Sequence, residues 1–128
     1  MNRKILVVED EDGLRDILKI VLTDEEYQVE TACNGQEAWD LIQSNTYDLL
    51  ATDLFMPVMD GAELIHKCRK NYPKLKIVLF SGGGRELQAT HGDDFVRLND
   101  EEIAVDMFLS KPCNLNELLN IVEKLLKE

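Results

Sequence analysis

Several things are missing from this 128-residue chain, and each absence narrows what it can be. No apolar run approaches the roughly 20 residues a membrane-spanning helix needs. The N-terminus passes straight from Arg3-Lys4 into Ile5-Leu6-Val7-Val8 and then Glu9-Asp10. That apolar stretch is too short for a secretory signal and has no small-residue cleavage site. A cytoplasmic location with no membrane contact is the expectation. The three cysteines, Cys33, Cys68 and Cys113, are scattered and include no CxxC pair. They read as reduced thiols rather than as a zinc or redox site. Basic residues are few: 14 against 25 acids, a formal charge of −11. A surface of that sign repels nucleic-acid and anionic-lipid phosphates, so direct binding to either is not expected. It suits a domain that binds other proteins or a metal cation.

What is present is an alternation of strand-like and helix-like runs. Residues 5–8 form a continuous apolar run, as in a strand buried on both faces. Leu14, Ile17, Leu18, Val21 and Leu22 follow at helix spacing. Further strands are expected at 28–32, 47–52, 75–80 and 107–109. Asn34 can cap a helix carrying Ala38, Trp39, Leu41 and Ile42, and Asn114 one carrying Leu115 to Leu126. A helix over 61–70 places Leu64, Ile65 and Cys68 on one face. The segment 85–94 is polar and turn-rich and reads as a long loop. A further helix is expected near 94–104. There is no repeat, linker or low-complexity tract, so 1–128 reads as one domain. Strands alternating with helices give an α/β fold, a doubly wound five-stranded parallel sheet in the flavodoxin-like order 2-1-3-4-5 with helices on both faces.

In such sheets ligands bind at the carboxyl ends of the strands, beside the switch point. Those ends carry the chemistry here. The first strand ends in Glu9-Asp10, the third in Asp53, the fourth in Ser81-Gly82-Gly83-Gly84, and the fifth in Lys111-Pro112. Three converging carboxylates repel one another unless a cation joins them. Mg²⁺ commonly takes one or two carboxylates plus waters and a phosphate. An aspartate can also act as a nucleophile to give an aspartyl phosphate. Phosphoryl transfer then needs neutralised charge, which Lys111 and a Ser81 hydrogen bond can supply. Taken singly, each of these residues could be an ordinary turn, helix start or strand exit. Four strand ends with complementary groups make a specific pattern.

The segments Val7-Val8-Glu9-Asp10-Glu11, Asp53-Leu54-Phe55-Met56-Pro57-Val58-Met59-Asp60-Gly61, Ser81-Gly82-Gly83 and Phe108-Leu109-Ser110-Lys111-Pro112 together resemble bacterial two-component response-regulator receivers of the stand-alone, chemotaxis-receiver kind. The resemblance spans essentially the whole chain. It implies Asp53 as phosphoacceptor, with Ser81 as switch hydroxyl and Lys111 as the phosphoryl-binding lysine. It implies Mg²⁺ held by Glu9, Asp10, Asp53 and the backbone carbonyl of Phe55. Phe108 matches the aromatic that moves inward when Ser81 is drawn to the phosphoryl group. The implied donor is a histidine kinase or a histidine phosphotransfer protein. The implied output is a changed face made by the fourth and fifth strands and helices, read by a downstream protein target. Such a domain is no enzyme beyond its own phosphorylation and slow dephosphorylation.

Two departures stand out. The segment from Ser81 to Lys111 is longer than such receivers usually have, and Phe108 lacks the hydroxyl of the tyrosine common there. Other readings are a receiver cut from a longer regulator and a pseudo-receiver that binds partners without phosphorylation. A phosphatase of the aspartyl-nucleophile type would need a second aspartate two residues after the first, where Phe55 stands. His66 is expected on the helix surface and His91 in the loop, neither at ligand spacing. Trp39 reads as a packing residue.

Overall fold

The computed structural model describes residues 3–56, 58–81, 87–89, 95–98, 101–110 and 114–127. Five parallel strands make the main sheet: β1 (Lys4–Val8), β2 (Gln28–Ala32), β3 (Leu49–Asp53), β4 (Lys76–Ser81) and, last in sequence, β8 (Met107–Ser110), in the order β2-β1-β3-β4-β8. The helices are α1 (Asp12–Asp24), α2 (Gly35–Ser44), α3 (Gly61–Asn71) and α4 (Leu115–Leu126). This is the expected doubly wound order, with three short strands added before the last one.

Period-two alternation divides the sheet's side chains between two cores. Ile5, Val7, Leu49, Ala51, Val78 and Phe80 pack with Leu18 and Leu22 of α1 and with Leu118, Val122 and Leu126 of α4. Leu6, Val8, Leu50, Ile77 and Leu79 pack on the opposite face with Ala38 and Ile42 of α2 and Leu64, Ile65 and Cys68 of α3. Burial on both faces explains why these strands read as unbroken apolar runs. The caps fall where the sequence allows them. Asn34 Oδ1 accepts the Glu37 N–H at 2.8 Å, Asp60 Oδ1 that of Glu63 at 2.9 Å, and Asn114 Oδ1 that of Glu117 at 3.1 Å. Trp39 is half-buried against the second core, edge-on to Tyr72 with ring centroids 6.0 Å apart. Cys68 is buried in that core, Cys33 is exposed, and Cys113 lies outside the described residues.

The helix expected near 94–104 is not there. In its place β5 (Leu87–Ala89), β6 (Phe95–Leu98) and β7 (Glu101–Ala104) form a small antiparallel sheet in the order β5-β6-β7. The strand β5 also falls inside the segment read as loop. The physical reason is legible in hindsight. Phe95-Val96 is an aromatic and β-branched pair that favours strand. Leu98 pairs with Glu101, so β6 and β7 run antiparallel as consecutive strands. The face expected to include a fourth helix therefore carries strands instead. Ile103 and Val105 fill the space on the α2/α3 side, where both are buried.

An arginine of α3 ties this segment down. Arg69 donates to the Ala104 carbonyl and the Leu75 carbonyl, each at 3.0 Å, and to Asp106 Oδ2 at 2.9 Å. The same Asp106 oxygen accepts the Ile77 N–H at 2.7 Å. One ion pair thus joins α3, the start of β4 and the passage from β7 to β8.

Candidate functional site

The order β2-β1-β3 reverses direction at β1 and β3, so the switch point lies between them. Register then sets the levels of the site. Val8 is opposite Thr52, so Glu9 follows β1 at the level of Asp53, and Asp53 is opposite Phe80. Ser81 is opposite Ser110, one step further along. The described backbone thus brings Glu9, Asp53, Ser81 and the end of β8 to one edge. The Ser81 side chain and all of Lys111 lie outside what is described.

Glu9, Asp10 and Asp53 each offer a carboxylate oxygen, and these oxygens lie within 4.8 Å of one another. Glu9 is wholly buried and Asp53 only 5% exposed, whereas Asp10 is exposed. Burying two carboxylates is costly unless donors or a cation compensate them. Part of that compensation is visible. Asp53 Oδ1 accepts the Leu54 N–H at 2.8 Å, and Glu9 Oε2 accepts the Glu11 N–H at 3.1 Å. Two oxygens facing each other across an octahedral Mg²⁺ lie about 4.2 Å apart. The triad's oxygens, all within 4.8 Å of one another, are close enough for one cation to reach. The donor set is all oxygen, which is what a hard divalent ion takes. The residues fit the group.

Backbone packing fixes where Asp53 points. A Cβ on Gly61 would sit 2.3 Å from the Asp53 carbonyl oxygen, so only glycine lets the start of α3 approach β3 this closely. The Gly61 N–H donates to the Leu54 carbonyl at 2.7 Å, closing the loop after Asp53. Gly35 does the same for α2: its Cβ would lie 2.2 Å from the Met59 carbonyl oxygen, to which its N–H donates at 3.2 Å. Within this loop Val58 adopts φ 72°, a left-handed conformation unfavourable for a β-branched residue. Val58 is 79% exposed, and Phe55, earlier in the loop, is 49% exposed. Arg15 of α1 donates to the Glu9 carbonyl at 2.9 Å, and the Thr52 hydroxyl to that of Asp53 at 2.8 Å. The glycines, Arg15 and Thr52 are positioning residues that sequence reasoning passed over. The Asp60-Gly61 pair after Asp53 was the available signal for one of them.

Phe108 is half-buried and packs on the α2/α3 core, at the register position opposite Leu79. His66 is exposed on α3, and His91 lies outside the described residues. No helix among the described residues is long and apolar enough to cross a membrane.

A doubly wound sheet with three carboxylates at its switch point is an α/β frame whose all-oxygen donor set fits a divalent cation. More particularly, the chain belongs to the response regulator receiver domain family, whose sequence profile matches residues 5–123. It is 32% identical over 127 residues to the transcriptional regulatory protein SrrA of Staphylococcus aureus, a match covering 99% of this chain and 49% of SrrA. The chain thus spans about half the length of the curated relatives it matches. Among solved structures it is similar to the response regulator TrrA of Thermotoga maritima in complex with Mg²⁺–BeF, with 35% identity, a TM-score of 0.81, and coverage of 97% of this chain and 99% of that one. The chemotaxis response regulator CheY4 of Vibrio cholerae aligns with 26% identity and a TM-score of 0.80, over 98% of this chain and 100% of that one.

Proposed function

We infer that this domain carries a signal by accepting a phosphoryl group on Asp53. The observation that carries the reading is the convergence of Glu9, Asp10 and Asp53 at the switch point, with Asp53 at the end of a fully buried strand. Asp53 supplies the attacking carboxylate oxygen. The phosphorus–nitrogen bond of a phosphohistidine, on a histidine kinase or a phosphotransfer protein, breaks as the acyl phosphate bond forms. Glu9, Asp10, Asp53 and the Phe55 carbonyl would hold Mg²⁺, which when bound adds positive charge beside the phosphoryl oxygens. Lys111 pairs with one of those oxygens and Ser81 donates to another. Phosphorylation adds roughly −1.5 to −2 charge, and its oxygens recruit both groups. Moving Ser81 makes room for Phe108, which couples the site to the face of β4, β8 and α4. A protein target reads that face, without direct contact to nucleic acid or membrane, in the cytoplasm. The domain is not an enzyme in the ordinary sense, since it modifies and slowly restores only itself.

The test is incubation with a small phosphodonor and Mg²⁺ followed by intact mass. A single phosphoryl adduct on the wild type that is lost in Asp53→Asn is the expected result. Catalytic consumption of donor without adduct would instead mean a phosphatase, and neither adduct nor turnover a pseudo-receiver. A full-yield adduct on Asp53→Asn would place the acceptor elsewhere.

A further inference from the structure

At the other end of the sheet, where β1, β3 and β4 begin, lies a cavity of about 550 Å³. That is within the range of small-molecule pockets, about 300–1,000 Å³. It is separated from Asp53 by the length of a five-residue strand, about 17 Å. Its floor is apolar: Ile42 at the end of α2, Leu75 before β4 and Leu126 at the end of α4 are all less than 10% exposed and line it. Its polar rim is unlike the rest of the molecule. The chain carries 25 acids against 14 bases, yet the lining holds three cations, Arg3, Lys74 and Lys76, and one carboxylate, Asp48.

That carboxylate is already engaged. Asp48 Oδ2 accepts the Lys4 N–H at 2.8 Å, and Asp48 Oδ1 lies 3.7 Å from the Arg3 guanidinium. Lys74 and Lys76 pair with no carboxylate among the described residues. Two lysines without a carboxylate partner among the described residues, in a lining that also holds buried apolar residues, favour a ligand with an anionic head and an apolar body. Tyr72 also lines the cavity, and an aromatic body packs well against such a side chain. We propose that this cavity binds a small amphipathic carboxylate, its apolar part on Ile42, Leu75 and Leu126 and its carboxylate at Lys74 and Lys76. The site is independent of Asp53 chemistry and stands or falls without it.

The test uses the full chain with Mg²⁺ and 2-naphthoate as probe, followed by amide NMR shifts. Trp39 is the only tryptophan and touches Tyr72 edge-on, so its indole N–H signal reports from the cavity wall. Saturable shifts at Asn45, Asp48, Lys74 and the Trp39 indole are expected, with affinity weakening as salt rises. The neutral 2-naphthalenemethanol should bind at least tenfold more weakly. The pair Lys74→Glu with Lys76→Glu should lose at least tenfold, and the exposed single change Lys74→Gln should lose part of that without risk to the fold. Equal binding of the neutral compound, shifts centred on Asp53, or no saturable shift at millimolar probe would each overturn the proposal. So would a hexaglutamate peptide that binds more tightly than naphthoate, since the surface would then be a protein-docking site.

Discussion

The chain leaves β3 and returns in β4 through a single helix of 11 residues, α3, whereas it leaves β4 and returns in β8 through β5, β6 and β7. Both crossovers cover the same face of the main sheet. The helix satisfies its own backbone hydrogen bonds, and its periodicity delivers Leu64, Ile65 and Cys68 to the core. The small sheet pairs its strands with one another and sends in only its trailing end, Ile103 and Val105, among residues whose side chains are described. It is held there by Arg69, a residue of the helical crossover. A helix can be self-contained cover for a sheet face, while a small sheet in the same role needs a polar tie to its neighbour.

The sharpest way to break that comparison is to truncate one core residue in each crossover. Leu64→Ala and Ile103→Ala both empty fully buried positions and should each cost about 2–5 kcal/mol in denaturant unfolding. A loss below about 1 kcal/mol at Ile103 would mean that the segment does not pack on the sheet as described. Arg69→Ala comes next. It removes a charge-assisted bond worth about 1.5–3 kcal/mol and two bonds to carbonyls. Hydrogen exchange should then rise in β7 and at the Ile77 amide while α1 keeps its protection. Uniform loss across both faces would show that Arg69 is no local tie.

These two regions also differ in how far they could be read from the amino-acid sequence. The five main strands, the four helices and the carboxylate triad were legible because each follows from burial periodicity or from a residue type at a strand end. Asn34 and Asn114 were recognisable as caps for the same reason. The crossover after Ser81 was not, because Phe95-Val96-Arg97-Leu98 is too short for periodicity to separate strand from helix. Nor were Gly61 and Gly35, whose roles come from backbone contacts to Asp53 and Met59 that no local pattern announces. Arg15 and Arg69 were missed for a related reason: both act on carbonyls distant in sequence or shared between elements.

Smaller effects sharpen the picture of the site half. Val58 is held at positive φ in an exposed position, so Val58→Gly relieves strain and should stabilise the protein by about 1 kcal/mol. Thermal unfolding checks this; a destabilised variant would mean that the Val58 side chain makes contacts worth more than the strain. Cys68 gives a pH effect of known sign. Burial pushes its thiol from 9.0 up to about 12. The unfolded chain loses this proton above about pH 9 while the folded chain keeps it, so the contribution is complete below pH 9 and is lost as pH rises. Cys68→Ala should be less stable at neutral pH yet show a flatter decline between pH 9 and 10. An unchanged slope would assign the alkaline loss to other groups.

The central claim is that Glu9, Asp10 and Asp53 form one cation-assisted phosphoryl site. The most direct measurement is a crystal structure of this chain with Mg²⁺ and beryllium fluoride, the combination bound by TrrA. The expected result is beryllium on an Asp53 carboxylate oxygen, Mg²⁺ among Glu9, Asp10 and Asp53, and fluorine atoms met by Ser81 and Lys111. Beryllium fluoride bound at another residue, or Mg²⁺ held without Asp10 and Asp53, would contradict it.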